Sequence, residues 1–188
     1  SRDEVTYCNI CSKELTRETV TIDPIGDTPA FIVENVTVAP GTQNVVVKIA
    51  IANNPGVVGV QLTIGYDADK LELVSFADTA VLGGWFTPDS MVSENPLYIT
   101  WEDGLAEQNN TANGDILILT FNVKEGATGN AAITVSYDPE NVYDFDLNNV
   151  TLATYNGGIT IQEAHEHSYV DTVVPPTETE QGYTEHVC

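Results

Sequence analysis

The chain has 188 residues, room for one sizeable domain with appendages, and its 42% hydrophobic content supports a packed core rather than an acidic disordered tail. Its formal net charge is −22, with six Lys and Arg against 28 Asp and Glu, which excludes the positive patch that nucleic acid or an anionic membrane surface requires. No apolar run approaches the roughly 20 residues that span a bilayer. All three cysteines lie near the ends, so the interior is held by packing alone.

Ser1-Arg2-Asp3-Glu4 opens the chain without the apolar run of a signal peptide, and the sequence reads as a segment of a longer extracellular protein. Residues 1–29 are polar, with a Cys8-x-x-Cys11 pair, and Glu4 to Tyr7 and Glu18 to Ile22 suit a small hairpin around it. From Phe31 the character changes. FIVENVTV predicts a strand, Ala39-Pro40-Gly41 a turn, and Val45, Val47, Ile49 and Ile51 one face of the next strand, ended by Asn53-Asn54-Pro55-Gly56.

The stretch Val57 to Phe76 is the centre of the pattern. Val58, Val60, Leu62 and Ile64 alternate with Gly59, Gln61, Thr63 and Gly65, the period of two of a strand with one buried face. Tyr66-Asp67-Ala68-Asp69-Lys70 is a short acidic turn, after which Leu71 and Leu73 resume the alternation in an expected neighbouring strand. The exposed row of two glycines, an amide and a hydroxyl is flat enough to admit a partner closely, although strand glycines also mark bulges. Ala77 to Asn95 is loop-rich, with a short strand expected at Ser90 to Ser93. Leu97 to Trp101 follows, then a polar loop, then ILILTFNVK, apolar enough at its start for burial on both faces. Ala131 to Tyr137, Val150 to Tyr155 and Ile159 to Ile161 complete a series of short strands with no convincing helix, which predicts an all-β sandwich. After Gln162 the alternation stops, and 163–188 reads as a linker or second small module. The expected organisation is thus a tail at 1–29, a sandwich at 30–162 and a tail at 163–188.

The order strand–NNPG–GV-x-G-x-Q–strand–YD-x-x-x-L-x-L, then WEDG, then a terminal NGG-I-T-I, resembles the cohesin modules of cellulosome scaffoldins and related bacterial surface proteins over roughly residues 30–162. The resemblance implies a nine-stranded jelly-roll sandwich with no catalysis, which binds a dockerin, a small module that carries its own calcium. It also implies a binding sheet made of the strands at 57–66 and 97–102, the short strand near 90 and the strand near 152. Carried over by position, the contacts would be Gly59, Gln61, Thr63, Ser90, Ile99, Trp101 and Glu102. Familiar members often have Asn and Asp where this chain has Gly59 and Gln61, which points to a different dockerin class. Hydrophobicity alone would bury Ile99 and Trp101 and expose Thr100; the resemblance turns the two apolar residues outward, and that is the expectation taken. The tails resemble the two halves of a Cys/His repeat of secreted bacterial surface proteins, H-x-H-S-Y…GYTEHVC at the end and TYCNICSKELTRE at the start.

Cys8 and Cys11 have zinc-ligand spacing, and His165, His167, His186 and Cys188 add borderline and soft donors, with a disulfide as the alternative. Asp144-x-Asp146-x-Asn148 has calcium-like oxygen spacing, but Asn149 replaces the turn glycine and Tyr155 stands where a carboxylate belongs, so a solvated acidic loop is expected. Glu102-Asp103 and Asp138-x-Glu140 lack the third element of a hydrolase site. The rival functions are a carbohydrate-binding module that stacks sugars on its Trp and Tyr side chains, and an adhesin spacer with no preferred face.

Overall fold

The computed structural model describes residues 26–89 and 91–162 with their side chains, and the backbone of four further strands. Two of these, β1 (Arg2–Tyr7) and β2 (Glu14–Val20), form an antiparallel hairpin. The chain then builds the strands β3 (Ala30–Val33), β4 (Asn35–Val38), β5 (Val45–Ala52), β6 (Gly59–Tyr66), β7 (Leu71–Asp78), β8 (Thr87–Pro88), β9 (Leu97–Glu102), β10 (Gly114–Val123), β11 (Gly129–Ser136), β12 (Val142–Tyr143), β13 (Ala153–Tyr155) and β14 (Gly157–Ile161). A second hairpin, β15 (Val170–Val174) with β16 (Tyr183–Val187), ends it. The one helical turn among the described residues is a 3-10 turn at Pro139–Asn141.

The expected all-β sandwich is the fold observed. One sheet runs β13-β3-β5-β10-β7, the other β4-β14-β11-β6-β9-β8, with β12 also on β6. The core between them centres on Trp101, Phe31 and Phe121, with the aliphatic rows of β5, β6 and β10. FIVENVTV divides between the sheets: β3 lies in the first, β4 in the second, and at the crossing Glu34 N donates to Lys48 O at 2.9 Å. β4 and β14 pair in parallel, so the first and last strands of the sandwich run the same way. At the start of β10 a register shift between Asp115 and Leu117 lets both Ile116 and Leu117 point inward, which accounts for the unbroken apolar run.

Two expectations about neighbours are corrected. β6 and β7 are consecutive but not paired: β7 joins β10 in the opposite sheet, and the turn 67–70 crosses the edge of the sandwich. Leu71 and Leu73 therefore meet the core from the side opposite to Leu62 and Ile64. The alternation is the same whether two strands share a sheet or face each other across a core. Second, the strand near 152 belongs to the five-stranded sheet, where β13 pairs in parallel with β3. The neighbour of β6 is instead β11, which pairs through Ser136↔Thr63, loops out over the 3-10 turn, and rejoins as β12 through Val142↔Val60 and Tyr143↔Gly59.

Candidate functional site

The outer face of β6 and its neighbours is built in rows by the strand register. Tyr143, Gly59 and Glu102 are directly opposite one another in the first row. Gln61, Thr100 and Thr87 form the second; Ser136, Thr63 and Tyr98 form the third. Residues one step along each strand, Val60 with Trp101 and Leu62 with Ile99, are the inward rows.

Ile99 and Trp101 are thus corrected from contact residues to core residues, at 0% and 1% exposure. Their places on the face belong to Tyr98 and Thr100. Burial of two large apolar side chains outweighs any role carried over by position, and the hydrophobic alternation of LYITW had pointed inward. Trp101 instead organises a loop. Its Nε1 donates to Gly83 O, and its ring packs against Phe86 at 6.5 Å between centroids. Gly83 and Gly84 both sit at left-handed φ, +72° and +69°, which lets the backbone turn closely over the indole.

Gly59 is present in the first row but covered. A Cβ there would stand 2.1 Å from Tyr143 Cζ, so only glycine fits beneath that ring. The Tyr143 hydroxyl donates to Glu102 Oε1 at 2.9 Å. Partial burial, then this bond and the Glu102 charge, raise the phenol above its ordinary pKa. The bridge had no signal in the sequence, because Tyr143 and Glu102 lie 41 positions apart.

Gln61 lies at the centre of a closed network. Its Nε2 donates to Thr100 Oγ1 at 3.1 Å and to Asp89 Oδ2 at 3.3 Å, while its Oε1 accepts from Asn141 Nδ2 at 2.5 Å. Thr100 Oγ1 donates to the same Asp89 oxygen at 2.5 Å. Asp89 and Asn141 are therefore site residues that sequence reasoning missed, one from an edge loop and one from the 3-10 turn. Thr63 is half-buried on the same face. The short edge strand falls at Thr87–Pro88 rather than at 90–93, and Ser90 lies outside the described residues.

Asparagines hold the loops at the Glu102 end. Asn54, the one buried polar residue among those described, donates from Nδ2 to the carbonyls of Asn110 and Ala112 at 3.0 and 2.9 Å. Asn109 Oδ1 accepts from Phe145 N at 2.6 Å. Asp144 accepts from the backbone and side chain of Asn148, which lowers its pKa and uses up oxygens a calcium ion would need. Among the described residues no group of three or more His, Cys, Asp or Glu is placed to hold a metal. The zinc candidates Cys8, Cys11, His165, His167 and Cys188 lie outside the described residues; His186 falls on β16, whose side chains are outside them too.

A cohesin domain family model matches residues 29–161, most of the chain and all of the sandwich. The chain belongs to the cohesin family. Cohesins are non-catalytic interaction modules, typically parts of extracellular or cell-surface scaffoldins, and no helix among the described residues is long and apolar enough to cross a membrane. Solved structures agree. The cohesin CaCohA2 of Clostridium acetobutylicum, in complex with CaDoc0917, is 26% identical with a TM-score of 0.62, over 72% of this chain and 100% of that one. The sixth cohesin of Acetivibrio cellulolyticus scaffoldin B, solved with a Cel5 dockerin, is 23% identical with a TM-score of 0.62, over 72% and 99%. A non-cellulosomal cohesin from the archaeon Archaeoglobus fulgidus is 22% identical with a TM-score of 0.59, over 72% and 92%. No curated protein matches the chain.

Proposed function

We propose that this cohesin is a non-catalytic receptor for a dockerin, and that it docks its partner on the outer face of β6 and β9 as part of an extracellular, cellulosome-type assembly. The observation that carries the reading is the family match over the whole sandwich, together with a flat, solvent-facing sheet whose polar groups are already tied to one another. Such a face is preformed, so little ordering opposes docking. Gln61, Thr63 and Glu102 remain the proposed contacts from the original set, now with Tyr98 and Thr100 beside them. Gly59 acts by seating Tyr143. Calcium is expected on the dockerin, and zinc at the terminal Cys and His residues.

A sugar-stacking platform is less well supported. Tyr137 is engaged with Phe31 at 5.8 Å and donates to Leu152 O, Trp101 is buried, and Tyr155 belongs to the other sheet. Calorimetric titration of the full chain against a panel of dockerins, each with calcium and with chelator, tests the reading. Calcium-dependent one-to-one binding to a member supports it. Silence across the panel with binding to a glycan array would replace it by the carbohydrate module.

A further inference from the structure

Four large apolar side chains stand in solvent at the Glu102 end of the face: Trp85, Leu105, Phe145 and Leu147, with Leu105 at 92% and Trp85 at 82% exposure. Their loops are bonded to one another. Asn110 Nδ2 donates to Leu82 O at 2.6 Å, joining the loop of Leu105 to the loop of Trp85. Asn109 holds Phe145, and Tyr143 bridges to Glu102, joining the loop of Phe145 and Leu147 to the same end. Single exposed apolar residues are ordinary; a group of them on three mutually fastened loops marks a contact surface.

Leu147 is the sharpest of the four. It is held at φ +62°, a region that suits Gly or Asn and disfavours a leucine, while its side chain is 75% exposed. Neither backbone preference nor burial within the chain accounts for leucine here. A partner that buries it would.

The rim of this end is acidic throughout, with Glu102, Asp103, Glu107, Asp144 and Asp146. Between residues 26 and 162 the sequence has three basic residues, Lys48, Lys70 and Lys124, and none is near. Lys48 pairs with Asp115 at 2.8 Å in the opposite sheet. Lys70 and Lys124 lie at the far end of β6, donating to the carbonyls of Asn130 and Ala68 at 2.6 Å each. The negative field over the apolar group is therefore uncompensated from within the sandwich, and a basic-flanked partner complements it.

We propose that this end of the face seats an apolar ridge of the dockerin, and that the surrounding acids select dockerins whose ridge is flanked by Lys or Arg. The proposal rests on the dockerin reading and names the chemistry of the partner. The ridge sets how long the complex lasts, and the charges set how fast it forms.

The test uses the full chain with CaDoc0917 and the remainder of the dockerin panel, taking the tightest binder into rapid-mixing kinetics. Leu105→Ser and Leu147→Asn are each expected to weaken binding about tenfold or more, mainly through faster dissociation. Leu147→Asn is also expected to keep or raise the thermal midpoint, because asparagine tolerates the left-handed backbone. The double variant Glu107→Gln/Asp146→Asn is expected to slow association and flatten its decline with added salt. Unchanged affinity in both leucine variants, or association indifferent to salt, overturns this proposal while leaving the receptor reading intact. Absence of binding across the panel overturns both.

Discussion

The middle of the outer face and its Glu102 end solve opposite problems. In the middle, Gln61, Thr100, Asp89 and Asn141 satisfy one another, so the surface is polar but closed. At the end, Leu105, Phe145, Leu147 and Trp85 gain nothing from the chain they belong to. A closed polar surface is stable alone and presents a fixed shape; an open apolar one is favourable only when covered. The two regions are joined by Tyr143 and Trp101, one on the surface and one beneath it.

The strongest way to break this comparison is from beneath. Trp101→Ala should lower unfolding stability by about 3–5 kcal/mol, by opening a cavity and releasing the loop of Gly83 and Trp85. Chemical denaturation measures it; a loss under about 1 kcal/mol would return Trp101 to the surface. Next is Gly59→Ala. The Tyr143 ring must move, with an expected loss of about 1–3 kcal/mol from overpacking, and the mobility of the Tyr143 ring signals by NMR should rise. An unchanged spectrum would show that the ring does not rest on Gly59.

Gln61→Arg sharpens the contrast instead. It removes three side-chain bonds at a half-exposed position, so stability should fall by about 1 kcal/mol or less while dockerin affinity falls at least tenfold. Loss of fold with binding intact in the surviving fraction would make the network structural only.

The smallest effects are those of pH. The Tyr143 phenol has a raised pKa in the folded chain, so the stability it contributes is fully present below its unfolded value of 10.0 and is lost as pH rises through the folded value. Tyr143→Phe should remove that alkaline decline. Asp144 is shifted the other way by its bonds from Asn148, so its contribution is present above the unfolded value of 3.8 and is lost as pH falls through the folded one. Asp144→Asn should blunt the acid limb, as read from thermal midpoints across both limbs.

Much of the fold was legible. The alternation in VVGVQLTIGY placed Val60, Leu62 and Ile64 in the core and Gln61 and Thr63 outside, as observed. LYITW, read by its hydrophobicity alone, would have placed β9 correctly too; the error came from carrying contacts over by position. Less of the site could be read. Thr100, Asp89 and Asn141 meet Gln61 from positions 39, 28 and 80 residues away, and no local pattern encodes such meetings.

By itself, then, the amino-acid sequence determined the strands, the buried side of each and the acidity of the surface, because a period of two and the transfer of apolar groups from water act within a single strand. Only the tertiary structure decided which strands are neighbours: that β7 crosses to the other sheet, that β11 and β12 share one edge of β6, and that Tyr143 closes over Gly59. Pairing depends on register and loop closure between distant segments, and alternation is identical for a strand in either sheet.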